Sequence, residues 1–273
     1  MELALLEAPL IALCERASEA IMQVYNAPQS PSVDYKSDRS PVTAADIAAH
    51  NIIVEGLTQL TPGLPILSEE QSLPAFAERS RWQRYWLIDP LDGTREFIDR
   101  NGEFTINIAL IDAGQPLLGV VYVPLERRAY YGLVGTGAWK VGDGIRTVLA
   151  VAGAPGASVR VLTSARHSNT EVQRCLQQLR ATGVSVQQLK AGSALKFCRL
   201  AEGLGDIYPR FSPCCEWDTG AGQALLEAAG GALVTLDGAA LRYNRKASLI
   251  NPHFYALGGT VEQWWPLLSN HSG

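Results

Sequence analysis

The chain contains 273 residues with a mass of 29.5 kDa, and its 23 basic and 27 acidic side chains give a formal net charge of −4. Apolar residues make up 47% and charged residues 18% of the chain, and this composition excludes a disordered protein. The length is sufficient for one large domain or two smaller ones. The slightly acidic balance also excludes the extended basic surface that nucleic-acid binding requires.

Three features predict a cytoplasmic protein without a transmembrane segment. The first seven residues include two acids and no base, unlike the start of a signal peptide. The longest stretch without a charged side chain has 15 residues, 247–261, and contains Pro252, so it does not predict a membrane span. The five cysteines lack C-x-x-C spacing, which indicates reduced thiols rather than disulfides or a zinc site. Peripheral attachment to the inner face of the cell membrane through a partner stays open.

Helical periodicity dominates the first 60 residues. It predicts an amphipathic helix in residues 1–25 and a second helix that begins near 40–46 and ends at 60, with a loop or irregular hairpin over 26–39. Residues 64–68 predict a short strand, and the polar residues 71–84 predict a surface excursion. The first half then continues as mostly antiparallel β-structure, with strands predicted at 85–88, 104–111, 116–123, 128–133 and 138–141.

Small residues, glycines and prolines over 151–158 indicate a boundary between two halves. Beyond this boundary, strand-like and helix-like segments alternate, which predicts an α/β second half. The strands are predicted at 159–163, 184–189, 206–208 and 232–235, and the helices at 170–182, 194–202 and 219–229.

Acidic residues stand at the ends of predicted elements at three points of the chain. Glu69-Glu70 follows the strand at 64–68, Asp89 and Asp92 follow the strand at 85–88, and Asp218 begins a helix of small residues. Because adjacent carboxylates repel one another, such a cluster requires cations. Oxygen ligands without nearby His or Cys favour Mg²⁺ over zinc.

The segment from Asp89 to Thr94 predicts a tight turn, since it contains Pro90 and Gly93. Such a turn can direct both of its carboxylates and the Leu91 carbonyl at one point. The N–H groups of Gly93 and Thr94, at a helix start, then suit a phosphate oxygen. A site with two Mg²⁺ ions beside a phosphate is typical of metal-assisted phosphoryl transfer to water.

Each of these acids also has a simpler interpretation when taken alone. Asp92 with Gly93 is a common turn, Asp218 can be a helix N-cap, and Glu69-Glu70 can be a solvated loop pair. Their joint occurrence at the ends of three elements favours a functional site.

These motifs, together with the Trp217-Asp218-Thr-Gly-Ala-Gly sequence, resemble the signatures of the inositol monophosphatase superfamily. Residues 40–46, 95–98, 100–105, 195–198 and 208–210 further resemble the bacterial 3′(2′),5′-bisphosphate nucleotidases of the CysQ type. The resemblance covers the chain from Ala20 to about Asn251. It implies a layered α/β/α/β/α sandwich, with an α+β half (1–152) that carries most metal ligands, an α/β half (153–273) that carries Asp218 and substrate-binding residues, and a metal cleft between them.

The resemblance also implies two Mg²⁺ ions that share the Asp89 carboxylate as a ligand. Glu69, Asp89 and the Leu91 carbonyl would bind the first ion, and Asp89, Asp92 and Asp218 would bind the second. Glu70 resembles the acid that holds a weaker third ion through water. Thr94 and Asp46 resemble the pair that, with Glu69, orients the attacking water. By position alone, Asp46 would be a helix-start acid.

The residues implied for substrate binding form two sets. One set surrounds the reacting phosphate: Asp92, Gly93, Thr94 and Asp218. The other resembles the positions that bind the rest of a nucleotide: His167, Ser193, Lys196 and Arg210. A second phosphate needs cationic and hydrogen-bonding partners, which the second set supplies. Without the resemblance, Lys196 and Arg210 would be interpreted as surface cations.

The resemblance implies a Mg²⁺-dependent, lithium-sensitive phosphatase in sulfate-assimilation recycling. We expect it to convert adenosine 3′,5′-bisphosphate to AMP and phosphate, with 3′-phosphoadenylyl sulfate as a second substrate. The alternatives are an inositol-1-phosphate or histidinol-phosphate phosphatase, which the set Ser193, Lys196 and Arg210 argues against, and a non-catalytic nucleotide or metal sensor on the same fold. A small-molecule nucleotide is the expected partner, and the oligomeric state stays open.

Overall fold

The computed structural model describes residues 2–28, 33–35, 41–164 and 170–269. Its α-helices are α1 (Glu7–Tyr25), α2 (Ala44–Leu60), α3 (Phe76–Arg79), α4 (Thr94–Ile98), α5 (Thr170–Ala181), α6 (Leu195–Ala201), α7 (Gly220–Ala228) and α8 (Val261–Leu268). Its strands are β1 (Val33–Tyr35), β2 (Pro41–Thr43), β3 (Ile66–Ser68), β4 (Arg84–Asp92), β5 (Thr105–Asp112), β6 (Gln115–Val123), β7 (Arg128–Leu133), β8 (Gly137–Gly142), β9 (Ile145–Leu149), β10 (Ser158–Thr163), β11 (Ser185–Lys190), β12 (Ile207–Arg210), β13 (Ala232–Thr235) and β14 (Phe254–Leu257). In this part of the chain, no helix combines the length and apolarity needed to cross a bilayer.

A seven-stranded sheet forms the larger of the two main sheets, with strands in the order β3-β4-β5-β6-β7-β8-β9. β3 and β4 are parallel, and the remaining neighbours are antiparallel. Side chains alternate between its two faces. Trp86, Ile88 and Ile106 point to the face covered by α1 and α2, where they pack with Leu10 and Ile53.

The opposite face of this sheet packs on α6 and α7, and these helices pack in turn on the second sheet. Leu87, Leu225, Phe197 and Phe254 belong to this continuous core, from β4, α7, α6 and β14 respectively. The second sheet has the order β11-β10-β12-β14-β13. Its outer face is covered by α5 and α8 through a third apolar cluster. The layers therefore run α/β/α/β/α, which confirms the predicted sandwich.

The structure confirms the order of the predicted helices and strands and adds further elements. β9, β14 and α8 lie outside the predicted elements. The loop or irregular hairpin predicted for 26–39 includes β1, which pairs antiparallel with β2. The division into halves at residue 152 stays a prediction.

The surface excursion predicted for residues 71–84 is wrong in part, because it contains α3 and the buried side chain of Arg79. The Arg79 guanidinium donates to Asn244 Oδ1 and to the carbonyls of Lys246 and Ala247. A charged side chain can be buried when its donors find such acceptors. The polar composition of this segment therefore did not indicate that the Arg79 side chain makes buried contacts.

Helix α7 lies unusually close to the seven-stranded sheet, because glycine stands at the point of contact. A Cβ on Gly132 of β7 would lie 2.4 Å from Leu225 Cα and 2.8 Å from Ala224 O. Both neighbours are backbone atoms of α7, so they cannot move aside independently. This approach fixes the helix that begins directly after Asp218.

Gly132→Ala should therefore lower the free energy of unfolding by about 1–3 kcal/mol, the usual range for overpacking. Equilibrium urea denaturation measures the difference. Gly156→Ala is the matched control, since a Cβ there meets only Ser158 O at 3.9 Å. Equal stabilities for the two variants would contradict the close-packing argument.

Candidate active site

The carboxylates of Glu69, Asp89 and Asp218 meet beside the end of β3. β3 and β4 are in register with Ser68 opposite Ile88, and the Glu69 N–H donates to Ile88 O at 3.2 Å. Glu69 and Asp89 therefore leave these adjacent strands side by side. Oxygens of Glu69, Asp89 and Asp218 all lie within 4.8 Å of one another, and Asp89 is only 2% exposed.

A bulge in β4 turns the Asp92 carboxylate to the same face of the sheet as Asp89. Residues three apart in a regular strand point to opposite faces. Here the register with β5 shifts, so that Asp89 lies opposite Asn107 and Asp92 opposite Thr105. Three steps along β4 match two along β5, and the extra residue reverses the alternation. Asn107 Nδ2 donates to Asp92 Oδ2 at 3.3 Å, which holds this carboxylate in place.

The tight turn predicted over residues 89–94 is wrong, because the chain stays in β4 as far as Asp92. Leu91 is buried in the apolar cluster beneath α1 and α2, and this contact favours strand over turn. The reversal is confined to Gly93, whose φ of +93° lies in the left-handed region. α4 then begins at Thr94, at the predicted helix start.

Asp218 reaches the cluster from the turn that precedes α7. Glu216–Asp218 forms a short 3-10 helix, and the Cys215 N–H donates to Asp218 Oδ2 at 2.8 Å. The N-cap of α7 is Thr219, without a side-chain hydrogen bond. The simpler interpretation of Asp218 as the N-cap of this helix is therefore wrong. Its second oxygen is available to the carboxylate cluster.

Burial and mutual repulsion raise the pKa values of the clustered carboxyls. Burial, followed by the charges of Glu69, Asp92, Asp218 and Glu70, raises the pKa of Asp89 well above its usual range. Burial raises the pKa of Asp92 to about 6 and that of Asp218 well above its usual range. A cation relieves this repulsion, and a set of carboxylate oxygens suits Mg²⁺. The residues therefore fit the expected metal.

Two further predicted ligands lie beside the cluster. The Leu91 carbonyl oxygen lies 3.4 Å from Thr94 Oγ1. Glu70 is half-buried, its N–H donates to Ser68 Oγ at 3.3 Å, and its charge contributes to the raised pKa of Asp89. The roles of Leu91 and Glu70 as ligands stay predictions.

Thr94 and Asp46 form a hydroxyl–carboxylate pair at the edge of the cluster. Thr94 Oγ1 donates to Asp46 Oδ1 at 3.1 Å. The other oxygen of Asp46 accepts from the Thr43 N–H and the Thr43 hydroxyl, each at 2.7 Å. Asp46 is thus a helix-start acid, as its position suggests, and also the partner of Thr94. Burial raises its pKa, although these hydrogen bonds lower it in part.

The cluster opens into a cavity of about 160 Å³ that is lined by residues of both predicted halves. The cavity carries both acids and cations. Its lining comprises Asp92, Gly93, Glu96, Ser164, Ser193, Lys196, Phe197, Tyr208, Arg210, Cys214, Asp218 and Thr219.

Lys196 is 3% exposed, so its simpler interpretation as a surface cation is wrong. Its ammonium donates to Ala191 O at 3.2 Å and to Ser193 O at 2.7 Å, and it lies 5.1 Å from the centre of the Tyr208 ring. An ammonium has three N–H donors, so one remains for a ligand in the cavity. Burial lowers the pKa of Lys196 to about 8, with the Asp92 charge acting in the opposite direction.

The remaining predicted substrate residues differ in what the structure records. The Arg210 guanidinium lines the cavity and donates to Ser212 O and Pro213 O at 3.1 and 2.9 Å. The Ser193 hydroxyl is within hydrogen-bond distance of Asp92 O and of a second backbone carbonyl. His167 lies outside the described residues. Substrate binding by these residues stays a prediction.

Asn107 is a site residue that the sequence reasoning missed. It orients Asp92 and accepts in turn from Thr105 Oγ1 at 3.0 Å. The available signal was a lone amide within the apolar strand 104–111. Glu96 and Cys214, which line the cavity, were also not predicted as site residues. All five cysteines are free thiols, as expected, including the adjacent pair Cys214 and Cys215.

Residues 2–267 match the inositol monophosphatase family model. The chain belongs to this family. It is 49% identical over 242 residues to the 3′(2′),5′-bisphosphate nucleotidase CysQ of Salmonella typhimurium, an alignment that covers 89% of this chain and 95% of that protein. The crystal structure of CysQ from Bacteroides thetaiotaomicron is similar with a TM-score of 0.80 and 37% identity, and the match covers 92% of this chain and 97% of that one.

The fold is also shared with more distant members of the inositol monophosphatase family. An IMPase/NADP phosphatase that was crystallised with Mg²⁺ and phosphate has a TM-score of 0.77 and 21% identity, and the match covers 100% of this chain and 98% of that one. At this identity the similarity concerns the fold alone.

Asp89→Asn should abolish the stabilisation of the folded protein by Mg²⁺, because Asp89 is the buried member of the cluster. Without metal, the variant should melt no lower than the wild type, since the substitution removes repulsion, while Asn keeps an oxygen that can accept from the Leu91 N–H as Asp89 Oδ1 does at 3.1 Å. Thermal melting with and without Mg²⁺ measures both effects, because a ligand stabilises the state that binds it.

Asp143→Asn is the matched control for this measurement. Asp143 is exposed and has a φ of +52°, a conformation that Asn also tolerates. The control should keep the full Mg²⁺-dependent shift in melting temperature. The metal assignment fails if Asp89→Asn keeps it as well.

Proposed function

We propose that this protein hydrolyses the 3′-phosphate of adenosine 3′,5′-bisphosphate, giving AMP and phosphate. The observation that carries the proposal is the charge pattern of one cavity, whose lining includes the acids Asp92 and Asp218 as well as the cations Lys196 and Arg210. The first group suits a metal-bound reacting phosphate, and the second suits another phosphate of the same substrate. Relatives at 49% identity that carry the name bisphosphate nucleotidase support this choice.

The proposal extends to a second substrate, the number of ions and the location. We include 3′-phosphoadenylyl sulfate, since its 5′-group is also anionic, and with it a place in sulfate-assimilation recycling. The donor set supports two Mg²⁺ ions, with Glu70 for a third. Five free thiols support a cytoplasmic location.

The bound Mg²⁺ would neutralise phosphate charge and make water more acidic. The water oxygen then bonds to phosphorus, and the bond to the ribose O3′ breaks with its electron pair on that oxygen, which takes up a proton. Thr94 and Glu69 orient the water by accepting hydrogen bonds from it. Because the Thr94 hydroxyl hydrogen points to Asp46, the lone pairs of Thr94 Oγ1 face the other way.

The acidic and cationic groups also weigh against the alternatives. An inositol-1-phosphate or histidinol-phosphate substrate has only one phosphate, which offers no second anion for the remaining N–H donor of the buried cation Lys196. A non-catalytic sensor needs the metal and nucleotide sites but no hydroxyl paired with a buried carboxylate. The pair of Thr94 and Asp46 therefore favours an enzyme.

Thr94→Ala should lower kcat by about 10²-fold or more, the range for positioned proton-transfer groups. Its Mg²⁺-dependent thermal shift should stay near that of the wild type. Asp46→Asn should give a weaker defect of the same kind, because Asp46 acts through Thr94. If Thr94→Ala instead loses metal affinity and keeps kcat at saturating Mg²⁺, the residue is structural.

Lys196→Met should weaken kcat/KM for adenosine 3′,5′-bisphosphate by about 10- to 150-fold, the equivalent of a lost charged hydrogen bond of about 1.5–3 kcal/mol. Methionine fills similar volume in the buried site without charge. For adenosine 3′-monophosphate, which lacks the 5′-phosphate, the loss should be below about 3-fold. The test is the ratio of the two losses, and equal losses on both substrates would contradict the assignment.

A further inference from the structure

We propose that Glu103 is a positioning residue that gives the cavity its preference for a substrate with a second phosphate. The inference rests on the proposed nucleotidase function and deepens it. Glu103 belongs to the 100–105 motif between α4 and β5, for which the proposed mechanism has no role. It contacts Gly192 and Ser193, and Ser193 lines the cavity.

Glu103 holds the loop of residues 191–194 by two hydrogen bonds. Its side-chain Oε2 accepts from the Gly192 N–H at 2.8 Å, and its backbone carbonyl accepts from Ser193 Oγ at 2.6 Å. Its own N–H donates to Asn101 Oδ1 at 2.9 Å, which steadies this segment. One residue of the first half therefore binds two successive residues of the second half.

The same loop directs the ammonium of Lys196. The two carbonyls that accept from Lys196 Nζ belong to Ala191 and Ser193, the residues on either side of Gly192. A shift of this loop therefore moves both acceptors together. Because Lys196 is buried, its ammonium cannot turn into bulk solvent when these acceptors move. Glu103 thus acts on the cation through the loop, without touching the second phosphate itself.

The backbone of the loop needs such support. Ser193 has a φ of +42°, which is unfavourable for a residue with a side chain and persists only when its surroundings hold it. The contacts with Glu103 supply that restraint. Without them, Ser193 can relax toward an ordinary conformation, and the acceptors of Lys196 turn away from the cavity.

The chemistry of hydrolysis depends on other residues. Thr94 and Asp46 are joined to each other and to Thr43, and Asp89 is held within β4. Loss of the Glu103 side chain should therefore raise KM for the two-phosphate substrate and leave kcat nearly unchanged. A defect that only weakened the fold would affect both substrates alike.

The experiment compares Glu103→Ala, Glu103→Gln and the wild type on adenosine 3′,5′-bisphosphate and adenosine 3′-monophosphate. We expect Glu103→Ala to raise KM for the first substrate by about 10-fold, as for a weakened charged contact, with kcat within about 2-fold. kcat/KM for the second substrate should stay within about 2-fold. Glu103→Gln retains an oxygen acceptor for the Gly192 N–H and should restore most of the wild-type KM.

A second variant disturbs the same contact from the other side. A Cβ on Gly192 would lie 2.9 Å from Glu103 Cβ and 3.0 Å from its carbonyl and carboxylate oxygens. Gly192→Ala should therefore reproduce the selective rise in KM. Glu171→Ala, at an exposed position of α5, is the control and should match the wild type on both substrates.

Calorimetric titration with AMP and with adenosine gives a readout without turnover, since AMP carries the 5′-phosphate alone. Glu103→Ala should weaken AMP binding by about 10-fold and leave adenosine binding unchanged. Equal losses on both substrates, no loss on either, or a Glu103→Gln variant as defective as Glu103→Ala would overturn the proposal. A wild type that does not prefer the bisphosphate would contradict the proposed function, and the AMP titrations then decide the role of Glu103 by themselves.

Discussion

Repulsion among carboxylates that are held close together is the constraint on which the site depends. Oxygens of Glu69, Asp89 and Asp218 are held within 4.8 Å of one another, although at such distances like charges in a poorly hydrated site strongly oppose one another. The backbone prevents them from separating, because Asp89 lies within β4 and Glu69 directly follows the adjacent, hydrogen-bonded strand β3. The protein therefore maintains a place where a divalent cation lowers the free energy more than it could at an exposed surface.

The third acid depends on the middle layer of the sandwich. Asp218 precedes α7, and α7 lies between the two main sheets, with Gly132 allowing its backbone to approach the larger sheet closely. The carboxylates therefore come together only when both sheets pack on this helix. Residues of both predicted halves line the cavity, so the predicted metal ligands come mostly from the first half and the predicted nucleotide-binding residues from the second.

The sequence predicts the layers and the acidic positions better than it predicts the local geometry. Hydrophobic periodicity identifies α1 and α2, and continuous apolar runs identify the strands around β5, which are buried along almost their whole length. The bulge between Asp89 and Asp92 has no such signal, since it depends on how β5 pairs with β4. Arg79 illustrates the same limit, because the carbonyls that accept from it lie more than 160 residues away in the chain. Contacts of this kind depend on tertiary packing and leave no periodic pattern.

The charges of the cavity suit the proposed substrate, which is negative at both ends. The acidic residues would attract phosphate only once Mg²⁺ has neutralised them, whereas the cations Lys196 and Arg210, which also line the cavity, would attract phosphate directly. Asp92 interacts with both groups of charges. Its carboxylate belongs to the acidic residues, and its charge favours the ionised form of Lys196. A metal ion bound to Asp92 would neutralise this carboxylate, so that less negative charge balances the positive charge of Lys196. The ammonium then gains most from a second phosphate when the metal is already bound, so we expect the metal and a two-phosphate substrate to bind cooperatively, by linkage between adjacent sites.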